Sequence, residues 1–180
     1  MSALPSKGDL RKAALDARDA MEAHARVAAS EKLGQRALPF EVAAGTVVSG
    51  YSPIRSELDP VPLMRKLAAQ GARLALPAIL GRGKSLVFRA WTSGDRLTMG
   101  PLGILEPSPA MAELVPDIML VPLAAFDRLG HRIGYGRTTG PAHHVAHKQD
   151  SQISDSENRT LSFRLAHNRA PRRAPARGQP

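Results

Sequence analysis

The chain of 180 residues contains no cysteine. That excludes a disulfide framework, a thiolate zinc site and a thiol nucleophile. No run of 18 or more apolar residues occurs, so nothing in it reads as a membrane span. The first residues, Met1 to Asp9, lack a charged segment followed by an apolar run, and no secretory signal is expected. A cytoplasmic location with no membrane partner is the expectation. Hydrophobic residues make up 43% of the chain, which excludes wholesale disorder and suffices for one α/β domain. The net charge of +9 favours an anionic partner: a nucleotide, a carboxylated metabolite or nucleic acid.

Composition breaks after Gly136. Residues 1–136 carry 17 Lys/Arg against 13 Asp/Glu, and 66 of the 136 are apolar. Residues 137–180 carry 8 against 3, and only 11 of the 44 are apolar. Such a segment buries little surface to offset its ordering entropy. It reads as a basic, poorly ordered tail on a compact body.

Within the body, Leu10, Ala14, Ala17, Met21 and Ala28 recur at helical spacing with charges between them. One long helix or two is expected from Ser6 to Leu38, with Ser6 as N-cap and Asp9 three residues on as a variant capping box. Thr46 to Tyr51 reads as a buried strand. Asp59 to Gln70 reads as a helix with Gly71 at its C-terminal end. Leu74 to Pro77, Ser85 to Trp91 and Ile118 to Val121 have strand character. This alternation argues for an α/β sheet with helices on its faces.

Four segments attract a functional reading. Gly81-Arg82-Gly83-Lys84-Ser85 ends like a phosphate-binding P-loop, but Ala78 stands where the first glycine belongs and a strand follows instead of a helix. A hairpin turn is the better reading. The loop from Tyr51 to Pro60 follows the first strand, where ligands of open α/β sheets bind. There Arg55 would clamp a carboxylate and Glu57 would accept hydrogen bonds from a heterocycle. Against this stands a plainer view, with Asp59 a helix cap and Arg55–Glu57 a surface ion pair. The glycine-rich stretch Asp127 to Gly136 offers Gly134 and Gly136 for close backbone approach to a phosphate, with Arg132 for charge and Tyr135 for stacking. Finally, Lys7, Arg11 and Lys12 put cations on the start of a helix, against its dipole, unless an anion binds there. His143, His144 and His147 have metal-like spacing but lie in the tail, without the rigid surroundings a metal site needs. No metal ligand is assigned, and no Ser-His-Asp arrangement is present.

Six stretches, taken in order, resemble the 5-formyltetrahydrofolate cyclo-ligase (methenyltetrahydrofolate synthetase) family. They are Lys7-x-x-Leu10-Arg11, Tyr51-x-Pro53-x-x-x-Glu57-x-Asp59, Phe88-Arg89-x-Trp91, Gly100-x-x-Gly103-Ile104-x-Glu106-Pro107, Asp117-x-x-Leu120-Val121-Pro122 and Ala125-Phe126-Asp127-x-x-Gly130-x-Arg132-x-Gly134-Tyr135-Gly136. The resemblance implies a three-layer α/β fold with a Rossmann-like sheet. It implies a ligase that closes a carbon–nitrogen bond, converting 5-formyltetrahydrofolate to 5,10-methenyltetrahydrofolate with ATP and Mg2+. ATP phosphorylates the formyl oxygen, the neighbouring nitrogen attacks, and phosphate leaves with ADP as co-product. By resemblance, Lys7, Gly8, Asp9, Leu10 and Arg11 bind ATP together with Arg132, Ile133, Gly134, Tyr135 and Gly136. Tyr51, Arg55 and Glu57 line the folate site. Phe88 and Trp91 lie near it or belong to the core.

The resemblance ends where composition changes. The family's glycine-rich loop continues into aromatics and Asp-Arg, whereas this chain reads Arg137-Thr138-Thr139-Gly140-Pro141-Ala142-His143. The aspartate that would hold magnesium has no counterpart. A reading-frame change or sequencing error would leave such a text, and the adjacent frame should then encode aromatic-Asp-Arg. Two alternatives to an active enzyme follow. One is a folate- and nucleotide-binding remnant without catalysis. The other is a nucleic-acid binder using Arg159 to Arg177, where Phe163 alone is available for base stacking, so no dedicated nucleic-acid partner is expected. A monomer is expected.

Overall fold

The structure, a computed structural model, describes residues 5–81, 84–127 and 131–134, and the backbone of 159–162. The chain opens with helices α1 (Lys7–Asp19) and α2 (Ala23–Gln35), then strand β1 (Val47–Ser49), helix α3 (Val61–Ala69), and strands β2 (Arg73–Ile79) and β3 (Leu86–Ala90). Seven short strands follow: β4 (Leu97–Met99), β5 (Leu105–Pro107), β6 (Glu113–Leu114), β7 (Ile118–Val121), β8 (Ala125–Phe126), β9 (Arg132–Ile133) and β10 (Arg159–Ser162).

Six of these strands form a mixed sheet in the order β10-β7-β1-β2-β3-β6, with helices on both faces. Strands β10, β7, β1 and β2 run parallel, while β3 returns antiparallel to β2 and β6 antiparallel to β3. The β2–β3 pairing runs from Ala75↔Ala90 to Ile79↔Leu86, so the Gly81–Ser85 segment connects a hairpin and not a strand to a helix. Strand β10 comes from the stretch that composition separates from the body, and four of its residues join the sheet beside β7.

The central strands are apolar on both faces because both are covered. Val48, Leu74, Leu76, Ile118 and Leu120 pack with Leu33 of α2 and with Leu63, Met64 and Leu67 of α3. Helix α3 presents these three at i, i+1 and i+4, a single inward face. It ends at Gly71, whose φ of +95° allows Ala72 N–H to reach back to the Leu67 carbonyl at 3.0 Å. Helix α2 crosses α3 closely: a Cβ on Gly34 would lie 2.8 Å from Pro62 Cβ and 3.0 Å from its carbonyl carbon. Trp91 falls in the same core, with its indole nitrogen lacking a partner among the described residues.

The capping box at the start of α1 forms as expected. Asp9 N–H donates to Ser6 Oγ at 3.2 Å, and Ser6 N–H and Oγ donate to Asp9 Oδ2 at 3.0 and 2.7 Å. The inward face of α1 is another matter. Leu10 and Ala17 are exposed, and the residues turned toward the protein are Arg11, Ala14, Leu15 and Arg18, of which only Arg18 is fully buried. This face keeps the same helical spacing as the expected apolar one, and the polar anchors described next decide which is used.

Candidate functional site

Two segments far apart in sequence meet at the start of α1. Arg11 Nε donates to the Gly134 carbonyl at 2.9 Å, across 123 positions. Gly134 follows β9, which pairs with β8 through Ala125↔Ile133 and Phe126↔Arg132. Asp127 fixes the far end of this hairpin, accepting from His131 N–H at 3.0 Å and contacting His131 Nδ1 at 2.7 Å. Arg132 is exposed on β9, and Lys7 and Gly8 are exposed on the first turn of α1. Those first N–H groups have no intrahelical acceptor, so the helix end and the nearby cations together favour an anion. Asp9 works against this: its carboxylate accepts from Ser6, and those hydrogen bonds hold it below the ordinary carboxylate range, so it stays ionised on the same turn and the cations must outweigh it. Leu10 is exposed and Ile133 half-buried. Tyr135 and Gly136 lie outside the described residues.

The loop after β1 forms the second part of the site and is held by a hydrogen bond within itself and by others from β5, α2 and α1. Tyr51 is buried, and its hydroxyl donates to the Leu58 carbonyl at 2.7 Å across the loop. Burial pushes that phenol well above its ordinary range, so the hydroxyl stays protonated as a donor. Ser52 Oγ donates to the Leu105 carbonyl of β5 at 2.6 Å. Ser30 Oγ of α2 accepts from Asp59 N–H at 3.0 Å. From α1, Arg18 Nε donates to Ser56 Oγ at 3.0 Å, and that hydroxyl donates in turn to Asp19 Oδ1.

Within this frame Glu57 is half-buried, and its Oε2 accepts from Ile54 N–H at 2.9 Å. Burial raises its carboxyl above the ordinary range, opposed by the Ile54 hydrogen bond and by the charge of Arg18. Arg55, at the exposed tip, has φ +56°, a conformation that costs a non-glycine residue about 1–2 kcal/mol. Arg55 and Glu57 do not form the ion pair of the plainer view. Asp59 is not the N-cap of α3, a place taken by Pro60, but stands one residue before it, with its Oδ1 accepting from Val61 N–H at 2.9 Å.

The chain's resemblance to known proteins bears on this arrangement directly. Residues 3–163 match the profile of the 5-formyltetrahydrofolate cyclo-ligase family. The chain belongs to that family. The match continues past Gly136, where the sequence motifs end, and takes in β10. Among curated members, the 5-formyltetrahydrofolate cyclo-ligase of Escherichia coli K12 is 33% identical over 118 residues, 59% of this chain and 64% of its own length. That of Mycolicibacterium smegmatis is 32% identical over 139 residues, covering 73% and 71%. The chain thus spans just under two thirds of the Escherichia coli relative. Among solved structures, the 5,10-methenyltetrahydrofolate synthetase of Aquifex aeolicus aligns with a TM-score of 0.60 and 31% identity, over 73% of this chain and 68% of that one. The synthetase of Mycoplasma pneumoniae shares the fold at a TM-score of 0.55 and 19% identity, over 73% of each chain.

Beside these family motifs stand residues that sequence reasoning passed over. Arg18, Asp19 and Ser56 tie α1 to the loop, and Ser30 ties α2 to it. The β4–β5 hairpin borders the loop through Leu105, and it exposes Met99 and Leu105 there. Among the described residues no group of three His, Asp or Glu side chains is placed to hold a metal ion. No helix among them is long and apolar enough to cross a membrane.

Proposed function

We propose that this chain carries out the reaction of its family: ATP-dependent conversion of 5-formyltetrahydrofolate to 5,10-methenyltetrahydrofolate, with ADP and phosphate as co-products. The observation that carries this reading is the Arg11–Gly134 hydrogen bond. It joins the two segments assigned to ATP on the same helix whose other end holds the Glu57 loop.

In this reading, the phosphates lie at the N-terminus of α1. Lys7 and Arg11, the N–H groups of the first turn, and Arg132 supply the positive field there. Glu57 accepts hydrogen bonds from polar N–H groups of the folate ring, and Tyr51 acts from beneath by fixing the loop that carries it. Transfer of the γ-phosphoryl group to the formyl oxygen makes that oxygen a leaving group. Attack by the neighbouring nitrogen then closes the ring and expels phosphate. What the protein contributes is positioning and charge stabilisation. The described residues offer no cage for magnesium, so no protein ligand is assigned to it and no step is routed through it.

The test is to incubate the purified chain with 5-formyltetrahydrofolate and MgATP and follow the absorbance of the methenyl product, beside calorimetric titration of each ligand. Product formation supports the proposal. Heat of binding without product marks a folate- and nucleotide-binding remnant, and neither heat nor product overturns both readings.

A further inference from the structure

We infer that Arg18 is a positioning residue for the loop that carries Glu57: its guanidinium anchors residues 54–57 through Ser56 and keeps a positive charge beside the Glu57 carboxylate. The inference deepens the proposed function and rests on it only for the identity of the ligand.

Arg18 is the one fully buried residue of α1, at 8% exposure, on a helix whose neighbouring positions Ala17 and Asp19 face solvent. A buried guanidinium is costly unless its position serves nearby polar groups. Here it meets Ser56, itself buried, whose hydroxyl accepts from Arg18 and donates to Asp19. One loop side chain is therefore satisfied on both sides by two consecutive residues of α1. The neighbouring Glu57 N–H donates to the Ile54 carbonyl at 3.2 Å, and its carboxylate closes the same short turn through Ile54 N–H. Releasing Ser56 releases the turn that aims Glu57.

The charge of Arg18 has a second effect. Arg18 from α1 is the charged group that acts on Glu57, and Glu57 in turn acts on the buried Tyr51 hydroxyl that follows β1. Burial favours the neutral carboxyl, while Arg18 and the Ile54 hydrogen bond favour the ionised form that can accept from a ligand. Arg18 also lies seven residues, two turns and about 10 Å from Arg11 on the same helix face. A single rigid rod thus sets the spacing between the proposed phosphate and folate subsites.

The test uses the full chain and compares wild type with R18Q, R18K and S56A. Two readouts need no ligand: the NMR titration of the Glu57 carboxyl and hydrogen exchange at the Ile54 amide. R18Q should move the carboxyl midpoint upward and speed Ile54 exchange about tenfold, the loss of one charge-assisted bond. R18K should restore the midpoint, because it keeps the charge, and S56A should speed Ile54 exchange. With 5-formyltetrahydrofolate, R18Q should bind about tenfold more weakly at neutral pH, with the pH dependence of affinity displaced upward. A residue that merely fills space would alter stability and leave the midpoint in place. A folded R18Q with an unmoved midpoint overturns the inference. So does unchanged Ile54 exchange in S56A, which decides the matter should R18Q not fold. If wild type fails to bind folate, the proposed function falls while the titration and exchange results still decide the role of Arg18.

Discussion

Gly100 has an ordinary negative backbone angle yet no room for a side chain. It stands in the turn between β4 and β5, and a Cβ built on it would lie 2.5 Å from Glu106 Cδ and 3.1 Å from Cγ. The end of a glutamate can often swing aside, but Glu106 is buried at 7% exposure. Its Oε2 accepts from Ile79 N–H at 3.0 Å, and its Oε1 stands 3.8 Å from Arg89 Nη1. Arg89 is buried too, and donates to the Pro107 carbonyl at 3.0 Å. Gly100→Ala must therefore displace a buried carboxylate from its donors. Losing a hydrogen bond to a charged acceptor costs about 1.5–3 kcal/mol, and overpacking about 1–3 kcal/mol. The two overlap, so the expected loss is about 2–4 kcal/mol.

Urea unfolding should show this as a lower midpoint with an unchanged slope. Exchange of the Ile79 amide, which hydrogen-bonds Glu106, should accelerate. The decisive comparison repeats G100A in an E106A background, where the obstacle is gone and the added cost should fall below about 0.5 kcal/mol. G100A within about 0.5 kcal/mol of wild type, or an equal cost in both backgrounds, refutes the packing account. Because the Leu105 carbonyl of the same hairpin receives Ser52 Oγ, G100A should also weaken folate binding.

Other outcomes follow from the same geometry. Glu57 has a raised carboxyl, so its burial favours folding most below the ordinary value of 4.5, and this contribution is lost as pH rises through the higher folded value. Folate affinity, which needs the ionised form, should fall as pH drops through that raised value, and E57Q should abolish this dependence in titrations between pH 4 and 8. Asp9 is shifted the other way: its contribution is present above the ordinary 3.8 and lost as pH falls through its lower folded value, which acid unfolding of D9N against wild type should reveal. Removing the cap hydroxyl with S6A should cost about 1 kcal/mol in urea unfolding. R11A, which breaks the link to Gly134, should weaken ATP binding about tenfold in calorimetry while leaving folate binding nearly unchanged.

What was legible in the sequence depended on range. The Ser6–Asp9 capping box is a local matter of three positions, and it forms as read. The apolar runs around Val47, Leu74, Phe88 and Ile118 became β1, β2, β3 and β7, and Gly71 ended α3. Strands of two or three residues such as β4, β6, β8 and β9 carry no period to detect. The family motifs marked Arg11 and Gly134, but nothing local says that they touch, because the contact spans 123 positions. The burial of Arg18, and that of Glu106 although a family motif contains it, went unread for a common reason: a charged residue in a pattern is counted as outward, and only the fold shows which ones are buried. At Glu106 the one usable signal was Gly100, six residues earlier, whose missing side chain leaves space for the carboxylate.

The rotated inward face of α1, which keeps Ala14 but exchanges Leu10 and Ala17 for Arg11 and Arg18, has an energetic consequence. A helix of 13 residues that buries only one arginine fully gains little from apolar burial. Its docking depends on a few polar anchors, chiefly Arg11–Gly134 and Arg18–Ser56, each worth about 1.5–3 kcal/mol at most. Local opening of α1 should therefore precede opening of α3, which carries the fully buried Leu63, Met64 and Leu67. A nucleotide on the first turn of α1 would bind the docked helix and not the opened one. At 100 times its dissociation constant it should stabilise docking by about 2.7 kcal/mol and slow exchange of the α1 amides about 100-fold. The α3 amides, which exchange through global unfolding, gain the same increment, because the unfolded chain holds no nucleotide either, so α1 stays the less protected helix with and without ATP. Hydrogen exchange with and without ATP measures both helices at once. Protection of α1 equal to that of α3 without ATP, or no slowing of α1 exchange when ATP is added, would mean that α1 is held by something other than these anchors and their ligand.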